Sequence, residues 1–573
     1  MYNKPFPFFS WMRTYTKEKG FADFSAGLTV AVVLIPQAMA YALLAGLPPV
    51  YGLYAGLVGS VIASLWGSSS QLATGPVAIV SFLVLTSLSP LAPPESAEFI
   101  SLAIFLALIV GVIQFAMGSF RLGFIMNFVS HAVVVGFSSA AAIIIASTQI
   151  PSLLGIKIAQ HEFVFETFIE IAKHLPATNL PTLLIGITTI ASILLLRKVH
   201  KTFPSALLVV VASILGTIWF NLESLGVKVV GSIPSGIPLP TLPTLSFESL
   251  TGLIGTGIVI SIIGFMEAFA IAKTLAIRTK EKIDVNQELI GQGLANMAVS
   301  FFKGYPISGS FSRSAVNSLA GAKTGMAGVF VSLFVLLTLL FLAPSLYHLP
   351  KAALAGVVII AVIGLINIRQ FIHLWKTNRT DGIVACVTFA SAFIMKPDYA
   401  LFIGIILSLI LFLWKSMSPN IAVMGRNVER NAFANMSEDP AAIACPFITI
   451  VRPDRALYFA NIENAVRGIE QAIEAHHPKT LIIDAEAVNF IDASAIETLG
   501  HFIAEQNEKS LVVLFVNVKT DVRMTLVRSG IDVFTDEKIY FTGKKDVIRY
   551  AKGTLPPECC AKCTVRIFQE CAR

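Results

Sequence analysis

From Phe24 to about Trp414 the chain is a succession of apolar runs, each followed by a short polar or Gly/Pro-rich break. Runs of about 20 apolar residues are long enough to cross ~30 Å of hydrocarbon as helices. A soluble fold of this size has no interior large enough for so much apolar surface: of 573 residues 55% are hydrophobic and 13% charged, with a mean hydropathy of +0.75. The chain is therefore expected to be a polytopic α-helical membrane protein. About fourteen spans are expected, near 24–45, 49–66, 75–90, 100–117, 123–147, 180–196, 204–220, 250–272, 286–302, 310–321, 326–344, 352–367, 382–395 and 399–414. With the N-terminus inside, Lys and Arg from 1 to 415, leaving out Arg313, divide 17 inside to 6 outside. That bias follows the positive-inside rule, and an odd number of spans loses it.

The inner clusters are Arg197-Lys198-Val199-His200-Lys201, then Lys273, Arg278, Lys280 and Lys282, then Arg369, Lys376 and Arg379. The net charge of +7 says little about partners, because much of it is this loop charge. No nucleic-acid partner is expected, and no P-loop is present to imply ATP-driven work. Residues 1–20 carry Lys4, Arg13, Lys17 and Lys19 with Phe6, Phe8, Phe9 and Trp11 and lack a small-residue cleavage site. They are expected to form a cytoplasmic segment with an amphipathic flavour.

The segment 221–249 is rich in Pro and Gly, including Gly231-Ser232-Ile233-Pro234-Ser235-Gly236, and is expected to be an extended outer connection. Seven spans fall on each side of it, in repeats of about 24–220 and 250–416. Seven is odd, so the second set enters with the opposite orientation, as in an inverted repeat. The third span of each set is interrupted: Leu72-Ala73-Thr74-Gly75-Pro76-Val77-Ala78 in the first, Pro306 to Ser314 in the second. Matching breaks of this kind point to a substrate site at the midplane, where free N–H groups and the positive helix end suit an anion.

Particular residues sharpen that expectation. Gly75 allows a sharp turn into a short helix, and Pro76 loses nothing at its first turn. The N–H groups of Val77 and Ala78 then need a partner at depth, either neighbouring side chains or a bound anion. Arg313 is the one cation in its stretch, suited either to drawing anions in or to serving as a counter-ion for Glu267. Glu267, the only acidic residue between Glu248 and Glu281, is expected to carry a proton or to be a permanent partner of Arg313. Gln37 and Tyr41, spaced i, i+4 after Pro36, share a helix face and suit either a polyatomic anion or helix–helix hydrogen bonds.

After Trp414 the composition changes. Residues 417–444 are expected to be an irregular linker and 445–552 a small α/β domain, with strands near 447–451, 457–459, 480–484 and 511–515 and a helix at 462–475. Cys559, Cys560, Cys563 and Cys571 crowd the tail, 553–573. A C-x-x-C can hold zinc or an iron–sulfur cluster, but no His completes a usual spacing, so a flexible thiol-bearing tail without metal is expected.

Several long motifs in order carry a family resemblance: Ile35-Pro36-Gln37-Ala38-Met39-Ala40, Pro49-Val50-Tyr51-Gly52-Leu53-Tyr54, Thr74-Gly75-Pro76-Val77-Ala78, Asp284-Val285-Asn286-Gln287-Glu288-Leu289 and Ser310-Phe311-Ser312-Arg313-Ser314. Residues from about 20 to 552 resemble the SulP sulfate-permease family, solute carrier family twenty-six. The soluble part is similar to its STAS domain, with Phe490-Ile491-Asp492-Ala493-Ser494-Ala495 as the motif. The resemblance implies a 7+7 inverted repeat with core and gate domains and a homodimer; no cofactor is expected. It implies an anion held between the third and tenth spans near Gln37, Tyr41, Val77, Phe311, Ser312 and Arg313, with Glu267 serving proton symport. Ser494 stands where the related antagonists are phosphorylated, although Ala493 replaces the usual first hydroxyl.

The expected activity is proton-coupled uptake of sulfate or a similar oxyanion across the inner (plasma) membrane by an elevator-like shift, with both termini cytoplasmic. The alternatives are a bicarbonate or C4-dicarboxylate (fumarate) carrier, an uncoupled channel or exchanger, and a regulatory membrane protein acting through its STAS domain.

Overall fold

The computed structural model of the chain describes residues 7–158, 164–199, 205–231, 234, 236–243, 247–395, 397–561 and 563–572. Lys4 and Phe6, the His200-Lys201 end of the basic cluster, and Ser232, Ile233 and Ser235 of the central connection lie outside the described residues. Contacts divide the chain into two units near residue 409.

Among the described residues, eight helices are long and apolar enough to cross a membrane. With six shorter helices they form two sets of seven among the described residues. The first set is Lys17–Leu44, Pro49–Trp66, strand β1 (Thr74–Gly75) continuing into Ala78–Leu88, Ala97–Ser119, His131–Leu154, Leu180–Val199 and Ser205–Trp219. The second is Phe247–Thr279, Val285–Phe301, strand β2 (Ser308–Gly309) continuing into Phe311–Leu319, Met326–Leu337, Lys351–Ile363, Arg379–Ile394 and Pro397–Ser416. The helix starts have local causes. Thr16, Ser96, Ser130 and Asp284 each accept a hydrogen bond from a first-turn N–H. Ser130 also explains why the fifth span begins at His131 rather than near 123, since a 3₁₀ turn, Leu122–Phe128, precedes it.

Each set has a short amphipathic helix between its fifth and sixth segments, Val164–His174 and Ile368–Thr377. The second falls where the sequence places only a charged loop. Its Ile368, Ile372 and Trp375 are exposed along one face, while Arg369 and Lys376 occupy other positions. That pattern suits a helix lying in a membrane interface.

The helices of the first unit sort into two bundles. Lys17–Leu44, Pro49–Trp66, Ala97–Ser119, Val285–Phe301 and Met326–Leu337 pack against one another, and His131–Leu154, Leu180–Val199, Lys351–Ile363 and Arg379–Ile394 form the other bundle. Ala97–Ser119 meets Val285–Phe301 backbone to backbone. A Cβ on Gly111 would stand 2.5 Å from the Met297 nitrogen, and one on Gly118 2.7 Å from the Asn286 oxygen. Such small-residue contacts are how helices associate where lipid is as apolar as the side chains.

The second unit holds a seven-stranded sheet: β3 (Ile421–Asn427), β4 (Ala432–Asn435), β5 (Ala442–Ile443), β6 (Ile448–Pro453), β7 (Thr480–Asp484), β8 (Val512–Val516) and β9 (Tyr540–Phe541). The order is β4-β3-β6-β7-β8-β9 with β5 beside β3; β6 to β9 run parallel and β3 opposes β6. Ile462–His476 and Ala493–Glu508 cover one face, and Lys544–Thr554 covers the other.

Three expectations are corrected here. The presumed linker carries β3, β4 and β5, because Ile421 and Val423 pack on the core and the strand pairs with β6; Gly425, Arg426 and Asn427 mask that pattern in the sequence. Leu457–Phe459 makes one bridge, Leu457 to Ile491, rather than a strand, because Asn461 accepts from the Tyr458 N–H and turns the chain into its helix. The terminal segment is not a loose tail: Leu555, Ile567 and Phe568 are buried against the sheet.

Candidate functional site

The two interrupted spans meet. β1 and β2 pair antiparallel, Thr74 with Gly309 and Gly75 with Ser308, so two short helices start from opposite ends of one small ladder. Val77 and Ser310 are the N-cap residues, and no side chain caps either helix. Their first N–H groups lack intrahelical partners by geometry. Two positive helix ends at one place make an anion-receptive pair.

Glycine is required at this junction. A Cβ on Gly309 would lie 2.7 Å from Leu72 and 2.9 Å from the Ala268 Cβ. One on Gly75 would lie 3.4 Å from the Arg313 Nη2, so glycine lets the guanidinium approach the crossing. Pro76, Val77 and Ala78 are buried, whereas Phe311, at 59% exposure, and Ser312 are open. Access to the crossing is therefore from the Phe311–Ser312 side.

Arg313 sits behind that opening, fully buried. Its Nη1 donates to Gln37 Oε1 at 3.3 Å, while Nε and Nη2 have no hydrogen-bond partner. The void it borders, shared with Thr74 and Asn317, is about 10 Å³. That is the lower limit for one water, so an oxyanion has no room there. Tyr41, buried like Gln37, and Tyr305 lie within electrostatic range of the guanidinium, as does Glu267. Glu267 Oε2 is buried without a hydrogen-bond partner. Glu267 and Arg313 thus face each other through space and make no ion pair within the described residues, so the counter-ion reading is not met as a direct contact. The structure brings Gln37, Tyr41, Gly75, Pro76, Val77, Ala78, Glu267, Phe311, Ser312 and Arg313 to one region of the first unit. Ser494 lies in the other unit, exposed in the first turn of Ala493–Glu508, whose cap is Asp492.

A polar scaffold behind the crossing is absent from the sequence reading. Asn296, fully buried, accepts from the Ile307 N–H at 2.8 Å and donates to Gln114 Oε1 at 3.0 Å and to the Ile307 oxygen at 3.2 Å. Gln292 donates to Thr74 Oγ1 at 2.8 Å, and Ser60 donates to the Thr74 oxygen at 3.0 Å. Ser314 accepts from the Ala73 N–H at 2.8 Å, and Ser308 donates to the Gly264 oxygen at 2.5 Å. Backbone that is neither helix nor barrel is tolerated at this depth only when such groups satisfy it. The only available signal was three amides, Gln114, Gln292 and Asn296, inside apolar helices.

A cavity of about 810 Å³ lies between the two bundles, bordered by Ala40, Phe82 and Thr86 on one side and by Ser147, Gln149 and Phe393 on the other. Lys157 and Lys351 also line it. Those lysines, with burial as the first cause, hold the nearby Lys228 ammonium below its ordinary pKa.

Comparisons with known proteins agree with this architecture. The sulfate permease family matches residues 21–388 and the STAS domain residues 440–542. A probable sulfate transporter 4.2 of Arabidopsis thaliana is 36% identical over 562 residues, spanning 95% of this chain and 83% of the relative. A sodium-independent sulfate anion transporter of Bos taurus is 30% identical, spanning 96% of this chain and 92% of the relative. The murine SLC26A9 anion transporter, solved in an inward-facing state, superposes with a TM-score of 0.89 at 26% identity, covering 96% of this chain and 94% of that one. With its paired broken spans and its C-terminal sheet domain, this chain belongs to the sulfate permease family of anion transporters and carries a STAS domain.

Proposed function

We propose that the chain takes up sulfate or a similar tetrahedral oxyanion together with protons, holding the anion at the crossing of its two short helices. The observation that carries this reading is the pair of uncapped helix starts on one two-stranded ladder, with a buried, under-bonded Arg313 beside them. The N–H groups supply directed donors, and Ser312 adds a hydroxyl from the open side. Gln37 holds the guanidinium in place, and Tyr41, one turn on along the same helix, lies within electrostatic range of it. The names of the plant and bovine relatives support sulfate as cargo, and "sodium-independent" in the bovine name speaks against sodium as a coupling ion.

Glu267 is the proposed proton carrier. Its Oε2 is buried without a hydrogen-bond partner and Arg313 lies within electrostatic range, so an anion arriving beside Arg313 offsets the guanidinium charge and favours a proton on the carboxyl. Anion and proton then load together. The bundle that holds the crossing moves against the other in an elevator-like shift, and the cavity between the bundles supports that division. The proposed assembly is a homodimer in the inner or plasma membrane with both termini cytoplasmic. Ser494, exposed on the STAS domain, is the proposed regulatory position.

The test is uptake of labelled sulfate, bicarbonate and fumarate into proteoliposomes, with and without an inward proton gradient. Concentrative sulfate uptake that collapses with the gradient is the expected result. Uptake that only equilibrates, whatever the gradient, refutes coupling and favours a channel. Accumulation of bicarbonate or fumarate but not sulfate refutes the substrate.

A further inference from the structure

The cysteines of the second unit converge. Cys445 lies between β5 and β6, separated from β6 by Pro446 and Phe447, whereas Cys560, Cys563 and Cys571 belong to the terminal segment. That segment returns to the sheet through Ile567 and Phe568, helped by Arg566, whose φ of +34° turns the chain between Cys563 and Cys571. All four thiols are free and line one cavity of about 140 Å³, together with Lys552 and Arg566. Cys559, the immediate neighbour of Cys560, does not line it, and Cys386 lies in the membrane-type unit.

Four thiols gathered from two ends of a domain are the donor set of a soft metal centre. A single zinc ion needs its thiolates at ~2.3 Å. Among the described residues no three His, Cys, Asp or Glu side chains stand close enough for one ion. The cavity is instead many times the size of an ion, which suits a polynuclear centre held at wider spacing by four cysteines. A cluster carrying four thiolates is anionic; Lys552 and Arg566 on the cavity wall outnumber its one carboxylate, Glu570, and leave a net positive charge to offset it.

We propose that Cys445, Cys560, Cys563 and Cys571 ligate an iron–sulfur cluster of the four-iron class in the STAS domain. The cluster clips the terminal segment to the start of β6 and makes this end of the domain responsive to iron supply and to oxidants.

The test uses the full-length protein in detergent, incubated without oxygen with equal amounts of ferrous and ferric iron and with sulfide, then desalted. The expected product binds about four iron and four sulfide per chain and shows visible charge-transfer absorption. Cys445→Ser and Cys563→Ser should abolish that absorption, whereas Cys559→Ser and Cys386→Ser should leave it unchanged. Should a variant aggregate, alkylation of the reconstituted wild-type protein read by mass spectrometry replaces it, with the four ligands protected and Cys559 labelled. No retained iron, one zinc per chain in its place, equal loss in Cys559→Ser and Cys563→Ser, or equal labelling of all five tail-domain cysteines overturns the proposal.

Discussion

Replacing Arg313 by Met separates what the residue costs from what it does. The guanidinium is fully buried, its single hydrogen bond to Gln37 is long, and two of its nitrogens have no partner. Met fills a similar volume without a charge to desolvate. Removing a buried charge that has no ion-pair partner relieves a desolvation cost of roughly several kcal/mol, more than the ~1 kcal/mol lost with the weak bond to Gln37. Arg313→Met should therefore melt at a higher temperature in the absence of substrate. Binding should move the other way. A charge ~8 Å from the anion at an effective dielectric of ~20 contributes ~2 kcal/mol per unit of anion charge. The loss is then about thirtyfold in Kd for a monovalent oxyanion and roughly the square of that for a divalent one. Titration of purified protein with sulfate and with bicarbonate, alongside melting by intrinsic fluorescence, reads both effects. Equal losses for the two valences refute the assignment of Arg313 as the source of positive potential at the site, and a lower melting temperature refutes the argument that its burial costs more than its hydrogen bond returns.

Other consequences follow from the same geometry. Glu267→Gln keeps the shape and removes titration, so it should still exchange bound anion but fail to concentrate it under a proton gradient; accumulation equal to wild type refutes the proton role. Asn296→Ala strands the Ile307 N–H and Gln114 Oε1, at about 1–3 kcal/mol each, so it should lower melting stability and weaken anion binding together; intact affinity in a destabilised protein shows that the scaffold does not shape the site. In the second unit Lys544 Nζ lies 2.8 Å from the buried Asp484 carboxylate, which also accepts from Asn517. Lys544→Met leaves that charge unpaired and should destabilise the STAS domain by about 3–5 kcal/mol, measured by denaturant unfolding, with Asp484→Asn in the same chain restoring part of the loss.

The sequence made the membrane part legible because hydrophobicity and punctuation act locally. Runs near span length, with Gly75, Pro76 and Gly309 breaking two of them at matching positions, place the crossing before any coordinate is known. Asn296, Gln292 and Gln114 were not legible, since an amide in an apolar helix looks the same whether it binds a neighbour or props up a broken one. Ile368–Thr377 escaped because its charges read as loop topology while its apolar face repeats only three times. β3 escaped because its pairing with β6 is a tertiary fact that overrides a polar local composition. The convergence of Cys445 on the terminal cysteines needs the sheet, which brings together residues more than a hundred positions apart.

The most direct test of the central claim is to locate the anion. Selenate has the shape and charge of sulfate and an anomalous signal that identifies it without ambiguity. In crystals of the protein grown with selenate, the account predicts an anomalous peak at the crossing of β1 and β2, within hydrogen-bonding reach of the first N–H groups of Ala78–Leu88 and Phe311–Leu319 and of Ser312. A peak confined to the cavity beside Lys157 and Lys351, with none at the crossing, contradicts it.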